Sequence, residues 1–258
     1  MPEFTSHIQE TPSWAELTTS DYQGDLTFCS ALFGWEDEAN EMSPGMYYHM
    51  QKLRGLEVAA LYQQGVEEKQ QGVPPYWKLY FTVDDIRKSS AQAKESGVSV
   101  IFGPMEAFDA GYAVFFKTPR APCWPYDGPK TASGTDQGET VAAIWNELMP
   151  NSAAEPTEIH TGLLGISSSK MHGPIDYTML NVGGEGLAEV MQITDDMGPD
   201  PPHRVVYFGV DDVDDTAAKV ESPGGSVEVP LADILGIDRF AGLKDPQGVM
   251  FFIFKSAS

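Results

Sequence analysis

The chain has 258 residues, with 16 basic against 38 acidic side chains for a net charge of −22, and it is 41% hydrophobic and 11% aromatic. That much apolar material builds a core and excludes a disordered chain despite the charge. The acidic surface repels phosphate backbones and anionic lipid, which argues against nucleic acid or a membrane as partner. The length suits one large domain or two of ordinary size. The opening stretch MPEFTSHIQETPSW lacks the basic start and apolar run of a secretory signal. No apolar run approaches the ~18 residues of a membrane span. Cys29 and Cys123 stand in no metal or redox spacing. A cytoplasmic protein without disulfides is expected.

In chain order, WAELTTS alternates and reads as a strand. A helix follows, with Tyr22, Leu26, Cys29 and Phe33 at helical spacing, Asp21 as its N-cap and Gly34 as its stop. MYYHMQKL and LEVAALYQ read as strands parted by Arg54 and Gly55. WKLYFTV is another strand, and Asp85 caps a short helix, IRKSSAQAKES, ended by Gly97. Alternation over Val98–Phe102, then GYAVFF, then a last strand after a turn at Thr118–Pro119, completes the first half. GPKTASGTDQGET, residues 128–140, is polar and Gly-rich and reads as a linker.

Beyond the linker the sequence repeats itself. SWAELTTSD is echoed by IWNELMPNS, which matches Trp14 to Trp145, Glu16 to Glu147 and Leu17 to Leu148. ALFGW meets GLLGI, with Gly34 on Gly165. GMYYHM meets PIDYTM, with Tyr48 on Tyr177 and Met50 on Met179. YFTVDDI meets YFGVDDV, and FKTP meets LKDP, with Pro119 on Pro246. Two small changes of length account for the shifts in offset. The order β-α-β-β-β therefore occurs four times, in an α+β chain of two domains, 1–130 and 131–258.

This fourfold order, with W-x-[DE]-L, LFGW, VDD and DPxG at its landmarks, resembles the vicinal-oxygen-chelate (glyoxalase/bleomycin-resistance/dioxygenase) superfamily, in its tandem glyoxalase-like form. The resemblance covers essentially the whole chain. It implies paired βαβββ modules whose curved sheets enclose a cavity, often with a divalent metal held by His, Gln or Glu. Carried over residue by residue, the first-strand ligand positions fall on Trp14, Lys78, Trp145 and Val205, and the last-strand glutamate on Pro125 and Phe252. Glu57 or Glu189 could fill the remaining position, but one carboxylate does not hold a catalytic metal. No metal and no cofactor are expected.

Alternation puts Trp14 with Glu16, and Trp145 with Glu147, on one face of their strands, and the resemblance, which sets the tryptophans at cavity-facing ligand positions, implies that this face looks into the cavity. A carboxyl beside a tryptophan in an enclosed site has a raised pKa and can act as general acid or base. Glu16 and Glu147 are the candidate catalytic residues; the alternative is that each anchors a backbone amide or a basic neighbour. Trp14, Tyr48, His49, Trp77, Trp145 and Tyr177 are the candidate ligand contacts, with Tyr80, Trp124 and Tyr207 as further strand aromatics. For His49 a solvent-facing or hydrogen-bonded role is the competing reading. His160 and Cys29, on the helix stripe, are expected in the core. Pro122 and Pro125 should make the last strand of the first half short, bent or placed at an edge, and Pro156 is tolerable only in the first turn of its helix. Both changes suggest that the two cavities have diverged.

The expected function is a glyoxalase/bleomycin-resistance-like protein that binds a small molecule, aromatic ones included, in a metal-free cavity, as monomer or homodimer. The alternative is a metal-independent lyase, isomerase, hydroxylase or cyclase of secondary metabolism that uses a cavity glutamate. A metal-dependent lyase or dioxygenase fits the ligand positions least.

Overall fold

The computed structural model describes residues 11–95, 97–107, 111–117, 124–129, 143–172, 176–197, 202–234 and 238–255. Its strands are β1 (Pro12–Thr19), β2 (Glu36–Ser43), β3 (Met46–Leu53), β4 (Leu56–Gln63), β5 (Tyr76–Thr82), β6 (Ser99–Ala107), β7 (Gly111–Lys117) and β8 (Trp124–Pro129) in the first half. The second half has β9 (Ala143–Met149), β10 (Ser167–Met171), β11 (Tyr177–Val182), β12 (Glu185–Val190), β13 (His203–Val210), β14 (Ser226–Ile234), β15 (Asp238–Lys244) and β16 (Met250–Lys255). Helices α1 (Tyr22–Phe33), α3 (Ile86–Glu95), α4 (Ala154–Leu164) and α5 (Val213–Lys219) each follow the first strand of a module. A short α2 (Val66–Gln70) links the first two modules.

Each half builds one eight-stranded sheet, in the orders β2-β3-β4-β1-β5-β8-β7-β6 and β10-β11-β12-β9-β13-β16-β15-β14. Two modules thus join side by side through the antiparallel β1–β5 and β9–β13 pairs. The four βαβββ modules are as expected. The domain junction and most of the linker, from residue 130 on, lie outside the described residues, and Gly128 and Pro129 belong to β8.

The caps follow from local chemistry. Asp21 accepts from the Gly24 N–H at 3.2 Å, and Gly34 stops α1 at φ 73°, a conformation that costs a side chain its comfort and glycine nothing. Asp85 accepts from Arg87 and Lys88 N–H, both at 3.0 Å. Pro156 sits in the first turn of α4, where its missing N–H is unneeded. β8 departs from expectation in one respect: it lies between β5 and β7 and not at an edge. Its ladder with β5 is short, covering Phe81↔Tyr126 and Thr82↔Asp127, whereas β16 pairs with β13 from Tyr207↔Phe252 to Val210↔Lys255. The turn at Thr118–Pro119, with Pro122 and Cys123, lies outside the described residues.

β2 was not foreseen in the sequence. Its residues, EDEANEMS, are all exposed, so no alternation of apolar and polar marks it.

The backs of the two sheets face each other at β5 and β13, and one continuous apolar core runs through both halves. Phe208 of β13 packs against Trp77 of β5 (ring centroids 5.1 Å), Phe33 of α1 (5.3 Å) and Trp35 (5.6 Å). Phe28 of α1 meets Phe251 of β16, and His160 of α4 meets Phe81 of β5 at 5.8 Å. His160 is a core histidine, as expected. Its Nδ1–H donates to the Pro156 carbonyl at 2.8 Å, and burial together with nearby Arg204 pushes its pKa down to about 3.

Candidate functional site

Helices α1, α3, α4 and α5 contribute side chains to the core between the sheets, and the other face of each sheet points outward; the short α2 meets the first of these faces where the Tyr76 hydroxyl donates to Glu68. Glu16 (3% exposed) and Lys78 (5%) are nevertheless buried on the outward face of the first sheet. An eight-stranded sheet achieves this by twisting its flanking strands over the central pair, giving each half a cup.

In the first cup, β1 and β5 put Glu16 directly opposite Lys78, whose ammonium donates to Oε1 at 3.3 Å. Tyr48 of β3 and Tyr80 of β5 donate their hydroxyls to Oε2 at 3.0 and 3.1 Å. The Trp14 indole N–H donates to the Tyr48 hydroxyl at 3.0 Å, and the Lys78 ammonium also meets the Tyr62 hydroxyl. The ammonium lies 4.5 Å from the Tyr62 ring centre and 5.4 Å from that of Tyr76. Burial alone would lower the lysine pKa, but the Glu16 carboxylate opposite, together with the Tyr62 and Tyr76 hydroxyls, outweighs it and holds it above the ordinary value. Burial, and then Glu16, likewise raise the pKa of Tyr48 and Tyr80. The carboxylate is saturated with donors and neutralised.

The second cup is built from the same positions with different chemistry. Glu147 (4% exposed) stands where Glu16 does, but its partner across β9–β13 is Val205. Its neighbour on the parallel strand β12 is Glu189, where the first half has Ala60. Tyr207 donates to Glu147 Oε2 at 2.9 Å. Among the described residues no other side chain donates to Glu147, and no Lys, Arg or His pairs with it. Burial pushes its pKa up to about 7, with the Tyr207 bond opposing and Glu189 adding to the rise. Burial also raises Glu189. Around this pair lies a half-exposed aromatic row: Tyr207 stacks on Phe252 at 4.8 Å and 16°, and Phe252 on Phe240 at 6.0 Å and 25°. Trp145 reaches over β12, where the Cβ position of Gly186 lies 3.4 Å from its ring and 2.9 Å from Met179 Sδ.

Of the expected site residues, the structure brings Trp14, Glu16 and Tyr48 together in one cup and places Trp145 and Glu147 in the other. Tyr177 shares the second cup's face by its register, two residues before Met179, which pairs with Glu189. Two expectations are corrected. Trp77 is in the core against Phe208, because it alternates with Lys78 and so points to the back of β5. His49 alternates with Tyr48 and also points backward. It stacks on Tyr22 of α1 at 4.7 Å, with its Nδ1 2.9 Å from the Asp37 carboxylate. The side chain of Trp124 lies outside the description.

No protein-family model matches the chain. It is 33% identical over 263 residues, covering 100% of the chain and 99% of the relative, to a Mycobacterium tuberculosis protein named "Putative glyoxylase CFP32". The chain belongs to the vicinal-oxygen-chelate superfamily, in its tandem glyoxalase-like form. A second superfamily relative, "Anthracycline biosynthesis protein DnrV" of Streptomyces peucetius, is 25% identical and aligns over 94% of this chain and 92% of its own. Among solved structures, the Mn(II)-bound glyoxalase from Novosphingobium aromaticivorans superposes with a TM-score of 0.71 at 15% identity, over 96% of this chain and 82% of that one. The fold is therefore shared with a solved glyoxalase of low sequence identity to this chain.

The superfamily's divalent metal does not fit the residues present. The ligand positions that the resemblance marks on β1, β5, β9 and β13 hold two indoles, an ammonium and an isopropyl group. Among the described residues, no group of three or more His, Cys, Asp or Glu side chains could hold a metal ion. No helix among them is long and apolar enough to cross a membrane.

Proposed function

We propose that this superfamily member binds a small planar aromatic molecule in its cups, chiefly in the C-terminal one. The observation that carries this is the half-exposed row Tyr207–Phe252–Phe240 beside Trp145, with a buried carboxyl at its foot. Apolar walls with a few convergent polar groups are the usual make-up of a small-molecule site. Offset-stacked aromatic pairs contribute roughly 0.5–1.5 kcal/mol each beyond their buried area. The relative named for anthracycline biosynthesis supports a fused-ring ligand.

Titration with 1,4-dihydroxyanthraquinone, followed through tryptophan fluorescence and calorimetry, tests the reading. Saturable one-site binding is expected, weakened about tenfold by Phe252→Ala, since one lost stack is worth about 1.4 kcal/mol at most. Binding that is absent, or indifferent to both Phe252→Ala and Trp145→Ala, sinks it.

A second reading, a metal-independent enzyme using a cup glutamate, is favoured by one observation. Glu147 is a buried carboxyl without a cation, poised near neutrality.

A further inference from the structure

The two repeats form an internal comparison in which the backbone is shared and a few outward-facing side chains differ. In the first cup the carboxylate has a fixed cation at 3.3 Å and two tyrosine donors on its other oxygen. In the second, valine replaces the lysine, a glutamate replaces Ala60 on the neighbouring strand, and one tyrosine donor remains. Losing the cation leaves a buried acid with one oxygen unclaimed among the described residues, turned to the face that bears Trp145 and the aromatic row.

We infer that the C-terminal cup is a metal-independent proton-transfer site for aryl-fused cyclic ketones, with Glu147 as the base, and that the exchange of Lys78 for Val205 is what separates it from the charge-locked N-terminal cup. This rests on the binding reading above and deepens it. The step balances without oxidant or metal. The Glu147 carboxylate takes a proton from the carbon beside the carbonyl, and the electron pair of that C–H bond passes into an enolate oxygen. The new carboxylic acid then returns the proton to the same or another carbon of the conjugated system, and the carboxylate is restored. The titratable groups facing Glu147 are Glu189 from β12 and Tyr207 from β13. Burial raises the pKa of Glu189, which favours the neutral acid that donates to the enolate oxygen. A base whose pKa lies near the working pH combines availability with strength, and such groups contribute about 10²–10⁴-fold to rate.

The test has two arms on the full-length protein. In the first, isotope-edited infrared spectroscopy of ¹³C-glutamate protein follows carboxyl ionisation against pH. A band that ionises near neutrality is expected in the parent protein, absent in Glu147→Gln, and moved down by two or more pH units in Val205→Lys. In the second, 2-tetralone in D₂O reports hydrogen–deuterium exchange beside its carbonyl, with binding read from tryptophan fluorescence. Exchange well above buffer is expected, falling about 100-fold or more in Glu147→Gln. Glu147→Gln is nearly isosteric, so this arm stands even if Val205→Lys does not fold. If neither 2-tetralone nor the dihydroxyanthraquinone binds, the binding reading fails and takes this inference with it. If the probes bind but exchange ignores Glu147→Gln, or no near-neutral band is lost, this inference alone is overturned.

Discussion

Residues 78 and 205 occupy one position in the repeat and decide how a buried carboxylate lives beside them. At 78 the lysine neutralises Glu16, and breaking such a buried pair from one side leaves an uncompensated charge. Lys78→Met should therefore destabilise the protein by about 3–5 kcal/mol in urea unfolding, and adding Glu16→Gln should recover most of that loss. A double variant as unstable as the single one would mean that the pair is not what holds the cup. Part of this was legible in the sequence. The alternation of β1 and β9 put Trp14 with Glu16 and Trp145 with Glu147, and the repeat register put Lys78 and Val205 in the cups. The same parity rule forbids Trp77 beside Lys78 and His49 beside Tyr48 on one face, so those two assignments contradicted information the sequence already held. Glu189 was visible as a metal-ligand position, but its value as a neighbour of Glu147 needed the parallel β9–β12 ladder.

At the scale of elements, α1 was predicted by its caps, yet its buried side carries a carboxyl that the apolar stripe does not announce. Asp25 is wholly buried, receives the Thr19 hydroxyl, and leaves Oδ1 without a hydrogen-bond partner among the described residues. The turn between β15 and β16 brings Asp245 nearby, where it accepts N–H bonds from Gln247 and Val249 at 2.9 and 2.8 Å. Burial pushes Asp25 up to about 7, with Asp245 adding to the rise, and burial pushes Asp245 up to about 6. Folded-state values above the unfolded one mean that the protonated forms are favoured by folding. Their contribution is complete below the unfolded value near 3.8 and is lost as pH rises through about 6 to 7. Stability should thus be lower at about pH 8 than at about pH 5.5, and Asp25→Asn should flatten that slope, stabilising the protein by roughly 1–3 kcal/mol at the higher pH. Denaturation midpoints across pH check it, and a slope unchanged in Asp25→Asn refutes it. Helix periodicity could not have found this pair, since it joins residues more than two hundred positions apart, and β2 escaped because an exposed edge strand has no apolar side.

For the whole molecule, the repeat made the four modules legible, but not that the halves would pack back to back through one core. Phe208 is the clearest joint, fully buried against three aromatic groups of the other half. Phe208→Ala should cost about 3–5 kcal/mol, and both halves should lose stability together in one unfolding transition. Two separated transitions by calorimetry, with only the C-terminal one shifted, would show that the halves fold independently.

That shared interior has a consequence for how such a chain changes over generations. The exchanges that set the cups apart, Lys78 for Val205 and Ala60 for Glu189, sit on outward faces, away from the side chains that join the halves. A substitution there alters charge and shape in one cup without disturbing the packing both halves need. Duplication has left this protein with one shared frame and two cups whose linings can vary independently, so one can change its charge and shape while the other keeps its own.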